Sequence, residues 1–297
     1  MLDVYHSRTG APWEIGARHD PVRWGDESGP LRAEQLARYD RDGFVILPDL
    51  FHAAEVDGFL AEAHRLAATV DRQTDDAVAT EPDSDAIRSI FKVHERAPTL
   101  RALAMDHRIR GAARQILGSE VYIHQSRINF KPGFDGRAFP WHSDFETWHI
   151  EDGMPRMRAL SASVLLTENT AVNGPLMLVP GSHRAFVRCV GETPRDHYKE
   201  SLKNQRYGVP APQALTRLVQ TGGIVQALGG AGTVILFDCN AMHGSTGNLS
   251  PFPRHNVFLV YNSVENRLVA PFGDMPPRPE FLGARTPQAT LAEAPRR

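Results

Sequence analysis

The chain has 297 residues, 41% hydrophobic and 23% charged, which supports a sizeable core and argues against global disorder. A formal net charge of −2 argues against a nucleic-acid binder, and no stretch approaches the roughly 20 apolar residues that span a bilayer. Two cysteines, Cys189 and Cys239, make no disulfide framework, and MLDVYHSRTGAPW lacks the apolar core of a secretory signal, so the expected setting is the cytoplasm.

Residues 1–30, rich in Gly, Pro and charge, are expected to form an extended lead-in. Residues 31–118 read as a mainly helical flank. LRAEQLARYDRDG places Leu31, Leu36 and Tyr39 on one face and stops at Gly43. FVILPDLF is a short strand cut by Pro48, and residues 53–70 repeat apolar side chains at Val56, Leu60, Ala63 and Ala67 with helical spacing. The acidic stretch 71–86 has no period and reads as a loop that can act as a lid, and a third helix covers about 98–117, ending at Gly118. From residue 119 to 265 short β-type runs alternate with Gly/Pro turns: VYIHQSRINFK, ALSASVLLT, GPLMLVPGS, GTVILFD and HNVFLVYNSV. That is the pattern of an antiparallel sandwich or jelly roll. Residues 192–212 form a charged excursion from it, and the proline-rich tail 274–297 is expected to be mobile or draped on the surface.

The central segment FPWHSDFETWH carries His142 and Asp144, which on a strand project to the same side. His243, in FDCNAMHGS, supplies a second imidazole. Two histidines and one carboxylate form the facial triad of non-haem Fe(II) oxygenases, leaving the opposite face for a keto acid and O2. An HxD pair arises readily by chance in a chain with 13 histidines, and His124, His149 and His183 read as structural or surface groups. Arg254, 11 residues beyond His243, sharpens the signal, because a guanidinium is the natural bidentate partner of the far carboxylate of 2-oxoglutarate. A zinc hydrolase can use the same ligands but has no need of that arginine. In QSRINFK, Gln125, Arg127, Asn129 and Lys131 share one face, either solvated or a polar wall for anionic ligands. Arg254, Asn256 and Phe258 align in the same way, and Ser245 can add a hydroxyl.

DGFVILPDLF, the HSD segment, GPLMLVPGSH and the final His–Arg pair together resemble the phytanoyl-CoA dioxygenase-like superfamily. Within it, residues 139–183 closely resemble the ectoine hydroxylases, and the likeness runs from about residue 30 to 265. The resemblance implies a double-stranded β-helix (jelly-roll, cupin-like) core with flanking helices, one dioxygenase domain and a homodimer. It implies 5-hydroxylation of ectoine with conversion of 2-oxoglutarate and O2 to succinate and CO2. Carried over by position, His142, Asp144 and His243 hold iron. Asn129, Lys131, Phe139, Ser245 and Arg254 belong to the 2-oxoglutarate pocket. Gln125, Trp148, Ser163, Phe237, Asn256 and Phe258 belong to the ectoine pocket or its border with the cosubstrate. Ectoine carries a delocalised amidinium, which aromatic faces such as those of Trp148, Phe237 and Phe258 attract, and Gln125 and Ser163 can bond its polar edges. Core packing is the plain alternative for each aromatic. Two other readings stay open at this point: the same chemistry on another small amino-acid-like or natural-product substrate, and a non-catalytic metal-binding jelly roll.

Overall fold

The apolar face of LRAEQLARYDRDG buries Leu31, Leu36 and Tyr39, and the helix Ala33–Asp42 they stabilise ends at Gly43, whose φ of 81° suits glycine. The chain was described by a computed structural model at residues 3–25, 28–82, 84–194, 196–202 and 205–286. Thirteen strands lie among these residues. They are β1 Glu14–Ala17, β2 Phe44–Leu47, β3 Val78–Thr80, β4 Ile87–Phe91, β5 Val121–Lys131, β6 Phe139–His142 and β7 Ala159–Leu165. They continue with β8 Leu176–Leu178, β9 Ala185–Arg188, β10 Val225–Gln226, β11 Val234–Asp238, β12 His243–Ser245 and β13 Arg254–Ser263.

Seven strands form one antiparallel sheet in the order β2-β11-β7-β13-β5-β4-β3, and four form a second in the order β10-β8-β12-β6. Alternation sorts the large sheet into two faces. Ile128, Phe130, Val257, Leu259 and Tyr261 pack with the helices Ala33–Asp42, Ala53–Thr69, Pro98–Met105 and Ala112–Leu117 in one core. The opposite face meets the small sheet, where Leu165, Phe237 and Phe258 pack with Leu176 and Leu178. The result is a mainly β jelly roll with helices flanking one side, as expected. The polar face of QSRINFK therefore looks into the sandwich.

Two expectations need correction, and both terminal segments are tied to the body. The stretch 98–117 is broken after Met105: Asp106 is extended and its carboxylate accepts from the Arg108 amide at 2.8 Å, capping a wide turn His107–Gly111 before Ala112–Leu117. The loop 71–86 contains β3, which pairs with β4; three residues carry no readable alternation. The lead-in is extended at β1, which pairs with β9, and it is tied to the body by the buried Tyr5, Ser7, Arg8 and Asp20. The tail is packed at Leu282, whose carbonyl accepts from Gln125 Nε2 at 2.8 Å; residues 287–297 lie outside the described residues. The flank also lends β2, β3 and β4 to the large sheet, and a helix Pro212–Gly222 follows the excursion. Among the described residues, no helix is long and apolar enough to cross a membrane.

Candidate metal centre and cosubstrate pocket

β6 and β12 pair so that His142 and His243 lie opposite each other. β6 ends at His142, so Asp144 is not on the strand as expected. Ser143 is still extended, and Asp144 opens the short helix Asp144–Thr147. The extended step keeps the two-residue alternation, and the carboxylate still turns toward the histidines. Asp144 Oδ1 lies 3.6 Å from His142 Nε2 and 3.9 Å from His243 Nε2. One ligand atom from each residue falls within 4.8 Å of the others.

The surroundings prepare these groups as ligands. His142 Nδ1 faces Pro140 O at 2.7 Å and His243 Nδ1 faces Ala241 O at 2.9 Å. A carbonyl only accepts, so each Nδ1 carries the proton and each Nε2 presents its lone pair. Burial, then neighbouring His142, lowers His243 to about 4 and keeps it neutral. Burial raises the Asp144 carboxyl, but His243, His142 and Arg127 outweigh it and hold the group ionised. Ser161 Oγ donates to Asp144 Oδ2 at 3.2 Å, fixing the other oxygen. This donor set fits a divalent iron and leaves one side open.

Beside the triad stands a wall of buried cations. The β13–β5 register places Arg254 opposite Lys131, Asn256 opposite Asn129 and Phe258 opposite Arg127. Lys131 Nζ donates to Ser245 Oγ at 2.9 Å and to the carbonyl of Thr246. Arg254 is 2% exposed, and its Nε has no protein partner among the described residues. With its oxygen turned to Arg254, the Asn256 amide accepts from Nη1 at 3.0 Å and from Ser163 Oγ at 3.2 Å. Arg88 lies 3.6 Å over the Phe139 ring, and Lys131 Nζ 5.3 Å from it. Burial, then Arg254 and Arg88, push Lys131 down to about 6, and burial with the neighbouring arginines lowers Arg254 to about 10. Glu81, paired to Arg88 at 3.0 Å, is the acid this group holds. Buried cations in excess of acids call for an anion. A dicarboxylate with one end on the metal meets that need.

A third group lines the opening. Gln125, Arg127 and Trp148 border one pocket with His142 and Asp144. Ser163, Phe237, Asn256 and Phe258 do not line that opening. Ser163 and Asn256 support Arg254, Phe237 sits 5.0 Å from the His243 ring, and Phe258 lies under the Arg127 guanidinium at 5.1 Å. His124, His149 and His183 are buried structural groups. Several pocket residues were not singled out in advance. Thr147 flanks Trp148; His197, Ser201, Leu202, Gln205 and Tyr207 come from the excursion; Arg278 and Leu282 come from the tail. Arg127 had a signal in the QSRINFK alternation. Arg278 had none, because a proline-rich tail carries no period to read.

Jelly roll, facial triad and anion wall define a non-haem iron dioxygenase that consumes 2-oxoglutarate. The chain belongs to the phytanoyl-CoA dioxygenase (PhyH) family, whose model matches residues 39–256. It is 57% identical over 285 residues to an ectoine dioxygenase of Bordetella bronchiseptica, covering 95% of this chain and 92% of that one. It resembles the crystal structure of EctD from S. alaskensis with 2-oxoglutarate and 5-hydroxyectoine, at a TM-score of 0.88 and 51% identity, covering 98% and 97% of the two chains. The crystal structure of the same EctD with bound Fe gives a TM-score of 0.87 at 51% identity, covering 97% and 96%.

Proposed function

We propose that the protein hydroxylates ectoine to 5-hydroxyectoine, converting one 2-oxoglutarate and one O2 to succinate and CO2 at each turnover. His142, Asp144 and His243 hold Fe(II), which when bound supplies the redox chemistry that O2 activation requires. Lys131 and Arg254, with Asn129, Phe139 and Ser245, take the carboxylate of 2-oxoglutarate remote from the metal. Trp148 offers a ring face to the ectoine amidinium, and Gln125 a hydrogen-bonding edge. Arg278 brings a guanidinium to the same wall, matched to the ectoine carboxylate. Ser163 and Asn256 steady Arg254, while Phe237 and Phe258 keep the floor between the two ligands dry. The cytoplasm is the compatible setting for the free, buried Cys189 and Cys239. A homodimer is the state the family resemblance implies, and light scattering reads it.

The observation that carries the substrate assignment is the near-complete likeness to EctD described with 2-oxoglutarate and 5-hydroxyectoine, over 98% of this chain. The test is the stoichiometry of the iron-loaded protein: ectoine should drive succinate and hydroxyectoine formation in equal amounts. Stimulation by a different small amine acid with no response to ectoine would move the substrate and keep the chemistry. Trp148→Ala should lose hydroxyectoine formation more than uncoupled 2-oxoglutarate decarboxylation, because the ring contacts the substrate side of the pocket.

A further inference from the structure

The N-terminal lead-in bonds the wall of the proposed substrate pocket through Arg8, which donates to the pocket residue Thr147. Arg8 is 6% exposed and sits at φ 55°, a left-handed conformation unfavourable for a side-chain-bearing residue. Its guanidinium is shared among acceptors of the segment that follows the metal ligand Asp144. Nε and Nη2 fork onto Glu146 at 3.0 and 2.6 Å, and Nη1 reaches Glu151 at 2.5 Å. Nη2 also donates to Thr147 Oγ1 at 3.1 Å, and Thr147 lines the pocket beside Trp148. Ser7 adds a hydroxyl to Glu146 at 2.6 Å.

The same guanidinium touches the excursion that forms the facing wall. Nη1 donates to Thr193 Oγ1 at 2.9 Å. Glu151 in turn holds the pocket residue His197 at 3.1 Å. Gly208 packs directly on the cluster: a Cβ there would stand 2.5 Å from Arg8 Nη2 and 2.7 Å from Glu146 Oε2. One buried cation thus joins the lead-in, the segment bearing Asp144, Thr147 and Trp148, and the excursion.

We propose that Arg8 is a positioning residue for substrate, which sets the spacing between the Thr147–Trp148 wall and the excursion that faces it. The assignment rests on the ectoine reading above. Arg8 bonds neither the triad side chains nor the cosubstrate residues Lys131, Ser245 or Arg254; its acceptors are Glu146, Thr147, Glu151 and Thr193, so its loss should weigh first on the substrate side.

The test compares the holoenzyme with Arg8→Gln, Arg8→Lys and Gly208→Ala. Arg8→Gln should raise the KM for ectoine roughly tenfold or more, as misplacement of a wall does. It should raise the share of 2-oxoglutarate consumed without hydroxyectoine, and leave the KM for 2-oxoglutarate unchanged within error. Arg8→Lys keeps the charge but loses the fork, and should move in the same direction less far. Gly208→Ala reaches the same cluster from the other wall and should repeat the split; with Arg8→Lys it decides the question should Arg8→Gln fail to fold. Hydrogen exchange, which needs no ectoine, should quicken in 144–152 and 205–208 while β13 stays protected. Equal rises in both KM values, or unchanged coupling with quickened exchange throughout, would make Arg8 merely structural and overturn the proposal. Absence of ectoine turnover in the unaltered protein would instead strike the substrate reading, and the exchange result would still judge the contact.

Discussion

At the residue scale the site separates into groups arranged to hold a metal and groups arranged to hold charge. Ser161 is not one of the three candidate ligands, yet it orients Asp144 through a 3.2 Å bond. Ser161→Ala should weaken Fe(II) binding by roughly ten- to a hundredfold, the usual effect of removing an outer support, as read by metal titration of the folded protein. Asp144→Asn should abolish stoichiometric iron binding in the same assay. Lys131 supplies a pH prediction. Without an anion it is depressed to about 6, by burial first and then by Arg254 and Arg88. At neutral pH it is therefore largely uncharged, and a bound carboxylate raises its affinity for a proton. Binding of 2-oxoglutarate should take up a proton, and affinity should fall as pH rises above about 6. Calorimetry in buffers of different ionisation enthalpy measures the uptake, and Lys131→Met should remove it; an uptake that persists in that variant would place the proton elsewhere.

At the scale of elements, the register of β13 against β5 builds the anion wall, and the break after β6 aims Asp144. The alternations in QSRINFK and through Arg254, Asn256 and Phe258 identified the β5 and β13 residues of that wall, because period two survives burial on both faces. What they left open was whether the polar face met water; the small sheet closing over it decides that, and a single strand does not encode its cover. The extended Ser143 step preserved the HxD geometry although the strand had ended. Arg88 and Glu81 went unread because their pairing depends on a three-residue strand, β3, with no local signature. Gly43 was readable as a helix stop, and its tertiary role was not: an added Cβ would sit 2.5 Å from His183 Nδ1. Gly43→Ala therefore meets both a clash and a left-handed backbone worth about 1–2 kcal/mol. Thermal unfolding should show a Tm several degrees lower with the triad's iron affinity retained.

Across the whole molecule, the residues farthest apart in sequence meet at the pocket. Trp148 from the centre, Tyr207 from the excursion and Arg278 from the tail line the same space, and Arg8 from the lead-in backs it through Thr147. The jelly roll, the His142–Asp144–His243 cluster and the buried Arg254 could be read from local spacing and alternation. The involvement of both ends of the chain could not, since Gly- and Pro-rich segments carry no period and dock by long-range ion pairs such as Arg278 with Asp152 at 2.7 Å. The resemblance to ectoine hydroxylases named the substrate; the physics of the residues reached only a small ligand beside an iron and a keto acid. The most direct test loads the protein anaerobically with Fe(II) and 2-oxoglutarate, then adds ectoine and isotopically heavy O2. Mass spectrometry should find one heavy oxygen in 5-hydroxyectoine and the other in succinate. Heavy succinate with unaltered ectoine would contradict the account.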